Sequence, residues 1–159
     1  LFNHIDIPQE NTSVPNGLAG DLAAECARYE QLIQAAGGID LQLLGIGHNG
    51  HIGFNEPSEA FTLETHVVEL TQTTVDANAR FFASRQDVPQ RALTMGIRAI
   101  MQAKAVLVAV SGTDKADIVL RAFRGPVTPA VPASILQLHP QMTLVGDRAA
   151  LHKLTEAGE

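Results

Sequence analysis

The chain has 159 residues, 45 % of them apolar, and a formal charge of −6, a globular composition at a length that fits one domain. Lys and Arg number 11 against 17 Asp and Glu, and the aromatics are Tyr29 and six Phe; without a basic stripe or a stacking platform, no nucleic-acid partner is expected. No apolar run reaches the ~20 residues of a membrane span and no secretory-leader pattern opens the sequence, so no membrane partner is expected; the lone cysteine, Cys26, forms no internal disulfide and fits a reducing cytoplasm.

In chain order, "LFNHIDIPQENTSVPNG" (1–17) starts on a residue other than Met and runs into a Pro/Asn/Gly-rich loop. The reading is of a piece of something longer. "AGDLAAECARYEQLIQAAGG" predicts a helix. Asp21 is placed to cap it, Leu22, Cys26, Tyr29 and Ile33 recur at helical spacing, and Gly37–Gly38 end it. Cys26 reads as core packing. "IDLQLLGIG" follows as a short buried strand. "THVVEL" (65–70) reads as a strand and "VDANARFFA" (75–83) as a helix. In "RALTMGIRAIMQA" (91–103) a strand turns at Gly96 into a helix. "AVLVAV" (105–110) is the clearest strand. "SGTDKADIVLRAFRG" turns at Gly112 into a helix ended by Gly125, "PASILQLHP" is a short helix, "MTLVG" (142–146) a last strand and "DRAALHKLTEAG" a last helix. Apolar strands alternating with helices predict an α/β domain with a mostly parallel sheet and helices on both faces, residues 1–159 forming one domain. Ligands of such folds bind beyond the carboxyl ends of the strands. Two loops lie there, 45–57 and 111–115.

The first is "GIGHNGHIGFNEP". Zinc needs three or four ligands, yet His48 and His51 flank an Asn-Gly pair in a glycine loop, and His4, His66, His139 and His152 are dispersed. No metal is expected. "GIGHNG" fits G-x-G-x-x-G, but Gly53 and Pro57 prevent the long helix whose N-terminus would hold a pyrophosphate. Acid–base work suits the loop better. His51 titrates near neutral pH, Glu56 is near enough in sequence to fold back onto it, and Asn49 offers both a donor and an acceptor. A loop histidine that merely satisfies carbonyls, with Asn55 and Glu56 capping the next segment, stays equally open on the residues alone.

In the second loop, Ser111, Gly112 and Thr113 stand between a strand and a helix, so free backbone N–H groups are expected to point outward. Lys115 in the first turn opposes the helix dipole, which hints at an anion as partner. Lys115, like Arg80 in "ANARFF", reads equally as a phosphate ligand or as a solvated side chain.

Taken together, "NHIDIPQEN", "ECARYEQLI", "LLGIGHNGHIGFNEP", "TVDANARFF", "ALTMGI", "SGTDKA" and "ILQLHP", in that order, resemble the glucosamine-6-phosphate deaminase family. "GHIGFNEP" is the specific stretch. The related 6-phosphogluconolactonase branch continues differently after the glycine–histidine, with a "TASLFP"-like string. The resemblance implies a Rossmann-like fold and conversion of glucosamine 6-phosphate and water to fructose 6-phosphate and ammonia, with no metal or organic cofactor. It gives His51 the ring-opening acid/base role and Glu56 that of its charge-relay carboxylate. Asn49 stands where many members carry Asp, so the relay here is the amide version. Arg80 and Lys115 match the phosphate ligands, and His48 falls at a variable position.

Two departures accompany the resemblance. The family's proton-shuttling aspartate and Ser/Thr/Gly-rich phosphate loop lie N-terminal of "NHIDIP" and are not in this chain. The 159-residue piece alone is therefore expected to be inactive and to belong to an enzyme of about one and a half times its length, still one domain. Allosteric members carry basic residues where "THVVEL" stands, so an N-acetylglucosamine 6-phosphate effector site is not expected. Whether the protein is a monomer or a homo-oligomer is left open. The rival functions are a lactonase and a sugar-phosphate-binding regulator without turnover.

Overall fold

The computed structural model describes residues 4–157. The side chain of Asp21 accepts from the backbone N–H groups of Ala23 and Ala24 and so starts α1, Leu22–Ala35. A helix N-terminus leaves such donors without partners, and a short carboxylate satisfies two of them. The helix ends at Gly37 and Gly38, both in the left-handed region at φ +87 and +89, where glycine carries no Cβ to clash. Cys26 is buried, as expected of a packing residue.

The strands β1 (Leu41–Leu44), β4 (Ala105–Val110) and β5 (Met142–Gly146) form a parallel sheet with β4 in the middle. Leu44 pairs with Val108, and Val108 with Leu144. The alternation of a strand then sends Val106, Val108 and Val110 to one face. They meet Ile97 and Ile100 of α3 (Ile97–Met101), Ile118, Val119 and Ala122 of α4 (Ala116–Arg124), Leu136 of a 3-10 turn at Pro132–Leu138, and Ala150 of α5 (Arg148–Glu156) in one core. Each buried Val, Ile or Leu there stabilises by roughly 1.5–3 kcal/mol. On the opposite face Leu41, Leu43 and Val145 stay 59, 63 and 54 % exposed. The short "LQLL" strand is thus buried at Leu44 and open at Leu41 and Leu43.

The other two strands, β2 (His66–Glu69) and β3 (Arg91–Thr94), stand apart as an antiparallel pair. Their sequences, HVVE and RALT, carry polar ends and are largely half-exposed, and an antiparallel pair tolerates water on one side as a parallel sheet does not. Between them α2 runs Gln72–Asn78 and passes into a 3-10 turn at Ala79–Phe81. It begins earlier than the expected helix over 75–83 because the Thr71 side chain caps it at the Thr74 N–H. The remaining predicted elements, including the strand-to-helix turn at Gly96, lie where the pattern puts them.

Candidate active site

The loop after β1 is fixed from below by two buried isoleucines, Ile46 and Ile52. Gly50, at φ +90, lets the chain reverse directly over Val131; an added Cβ would stand 2.8 Å from Val131 Cγ1. The turn closes through Gly47 N–H to the His51 carbonyl and Gly50 N–H to the Gly47 carbonyl, both at 2.9 Å. This brings the imidazole of His51 flat against Gly47. A Cβ at Gly47 would fall among the ring atoms, so only glycine lets the ring sit there.

His51 Nδ1 lies 2.8 Å from Asn49 Oδ1. An amide oxygen accepts and does not donate, so this network assigns the ring proton to Nδ1 and leaves the Nε2 lone pair for a ligand. Asn49 Nδ2 then donates to Glu56 Oε2 at 2.6 Å. The direct separation of His51 Nδ1 and Glu56 Oε2 is 3.7 Å, too long for a hydrogen bond. The order is therefore imidazole, amide, carboxylate, with Glu56 acting through Asn49. Glu56 is buried, and its other oxygen receives the hydroxyls of Thr74 and, at 3.3 Å, Thr71. Burial pushes the His51 imidazole below its ordinary value; Glu56 works against this, and Lys115 and His48 add to it.

His51, Lys115 and Arg80 line one open cleft of 530 Å³, with Asn78, Thr94 and Met95. Lys115 is half-buried, and its Nζ donates to the Ile46 carbonyl at 3.0 Å. Desolvation lowers its proton affinity, and Asp114 partly offsets that. Arg80 is exposed, its guanidinium 4.7 Å from the centre of the Phe81 ring. The second loop differs from expectation. The Gly112 N–H does not point freely outward but donates to the Asp147 carboxylate at 3.1 Å. Asp147 reaches it while capping α5. His48 also has a partner there, Nε2 lying 2.6 Å from Asp114 Oδ2. His139, by contrast, is a structural histidine: its Nε2 meets the Ala103 carbonyl and its Nδ1 accepts from Gln141 N–H.

The structure thus brings together all five residues singled out in the sequence. Three more belong to the site: Gly47, Thr71 and Thr74. The threonines precede the helix expected over 75–83, and nothing in their spacing shows that they reach Glu56.

The sequence family described as glucosamine-6-phosphate isomerases/6-phosphogluconolactonase matches residues 1–145. The chain belongs to this family. A glucosamine-6-phosphate deaminase of Lachnoclostridium phytofermentans is 63 % identical over 145 residues, covering 91 % of this chain and 61 % of its own length. One from Clostridioides difficile is 56 % identical over 154 residues, 97 % of this chain and 62 % of its own. The solved structure of a monomeric glucosamine-6-phosphate deaminase superposes with a TM-score of 0.91 at 49 % identity, covering 96 % of this chain and 63 % of that one. The chain therefore spans about three-fifths of the length of the relatives it matches. The fold is the α/β fold expected.

Proposed function

We propose that this chain carries the ring-opening and anion-binding part of a glucosamine-6-phosphate deaminase, an enzyme that converts glucosamine 6-phosphate and water to fructose 6-phosphate and ammonia. The observation behind the reading is the relay: His51 lines a cleft that also holds Lys115 and Arg80, while its Nδ1 is fixed by Asn49, itself held by Glu56. Opening a pyranose moves a proton from the anomeric hydroxyl to the ring oxygen. A neutral imidazole with a free Nε2 takes that proton and returns it as imidazolium.

The amide of Asn49 orients the ring and transmits no formal charge. Glu56, one amide away, lowers the energy of the imidazolium through space rather than by accepting its proton. Lys115 and Arg80 are the cations for the sugar's phosphate, Arg by a planar fork and Lys as a point charge. Isomerisation also needs a base beside C2, and none of the relay residues is assigned to that step. The relatives' greater length suits a base supplied from outside this chain.

The deciding experiment measures ammonia release from glucosamine 6-phosphate by the full-length gene product. His51→Gln in that protein is expected to abolish release while leaving the fold and phosphate affinity intact. Hydrolysis of a 6-phosphogluconolactone without ammonia release would replace this reading with the lactonase one. Turnover by the 159-residue chain alone at full-length rates would remove the requirement for the outside base.

A further inference from the structure

We infer that Thr74 is a positioning residue for the relay, its hydroxyl, backed by Thr71, holding the buried Glu56 carboxylate with Oε2 turned to Asn49. The inference rests on the reading of His51 as the acid–base group. Glu56 is 9 % exposed, and among the described residues its only ion-pairing neighbour is the His51 imidazole, at 3.7 Å. A buried carboxylate without a Lys or Arg is held in place by its hydrogen-bond donors. Asn49 serves Oε2. Oε1 depends on the two threonine hydroxyls, of which Thr74 is the closer and Thr71, at 3.3 Å, the weaker.

Thr74 is suited to the task. It is 2 % exposed, so water does not compete for its hydroxyl. Its β-branched side chain has few rotamers. Its backbone is pinned on both sides, the N–H to Thr71 Oγ1 at 3.4 Å and the carbonyl by Asn78 Nδ2 at 2.8 Å. Thr71 Oγ1 stands 3.0 Å from Thr74 Oγ1, so the pair shares its hydroxyl protons toward one carboxylate. A rigid donor on Oε1 fixes the carboxyl plane and thereby which way Oε2 faces. Without it the relay loses its aim.

The test reads His51 directly by imidazole NMR titration of the folded chain. The charged groups facing this ring are Glu56, Lys115 and His48, with Arg80 lining the same cleft; only the Glu56 charge favours the imidazolium. Glu56→Gln therefore sets the reference for a relay without charge, a lower midpoint than wild type. Thr74→Val is expected to move the midpoint most of the way to that reference, whereas Thr74→Ser, which keeps the hydroxyl, stays with wild type. A Thr74→Val midpoint that stays put or rises overturns the inference. Should Thr74→Val fail to fold, the Thr74 hydroxyl proton of the wild-type chain decides. It is expected downfield, slow to exchange and moved in Glu56→Gln, and a signal that is the same in both proteins overturns the inference. None of these readouts involves turnover, so they stand or fall separately from the deaminase reading.

Discussion

The charge state of His51 is set by opposing neighbours, which fixes the sign of its pH dependence. Its folded value lies below the ordinary 6.5, first through burial. The folded chain then binds fewer protons than the unfolded chain just below pH 6.5, so this group's contribution to stability is complete above 6.5 and declines as the pH falls through it. The same shift keeps Nε2 available as a base into mildly acid solution. An imidazole NMR midpoint below 6.5 is expected, and it should rise in Lys115→Met, where a repelling cation is gone. A midpoint at or above 6.5 in the folded chain would contradict the burial seen here. Gly47 is the other residue on which the ring depends. Gly47→Ala should leave amide spectra and stability close to wild type while displacing the imidazole. Misplaced by about an ångström, a catalytic group loses on the order of 10²-fold in rate, readable as ammonia release by the full-length variant. Residue identity and the family likeness were enough to single out His51, Asn49 and Glu56. Gly47 was hidden among four glycines of one loop, because its role is a contact across a turn and not a property of its type.

Among the elements, Asp147 does two jobs at once. Its carboxylate accepts from Ala150 N–H at 2.7 Å, starting α5, and from Gly112 N–H, closing the loop after β4. Asp147→Ala removes both and should cost about 1–3 kcal/mol, measured by chemical denaturation; Asp147→Asn should recover much of it, since an amide oxygen also caps. The start of α1 and the ends of α1 and α4 were legible because they are written in a few residues: Asp21, Gly37 and Gly125 act locally. Strand pairing was less so. HVVE and RALT satisfy their backbone by pairing with each other, and a pattern of apolar residues does not say which strand a strand will meet. The expectation of free amides at Gly112 failed for the same reason, as the partner comes from Asp147, 35 residues away.

At the scale of the molecule, the two faces of the sheet should answer differently to mutation. Ile100 is fully buried in the core while Leu43, on the other face, is 63 % exposed. Ile100→Ala should destabilise by about 2–5 kcal/mol. Leu43→Lys should leave stability within about 0.5 kcal/mol and reduce concentration-dependent association, since an apolar edge strand invites pairing. Denaturation curves with light scattering on both variants check this, and equal losses of stability would mean that the open face is covered in solution. Global stability also governs how the relay ages. Asn followed by Gly is the pairing most prone to lose its side-chain amide, because the glycine nitrogen attacks the asparagine side chain. In the folded loop the Gly50 nitrogen is engaged with the Gly47 carbonyl, and the Asn49 amide is held at both ends, by His51 and Glu56. Each unfolding releases both at once. Loss of the amide would set a second carboxylate against Glu56, so a core substitution far from the cleft hastens the change of the relay from its amide to a carboxylate version as well as lowering the folded fraction.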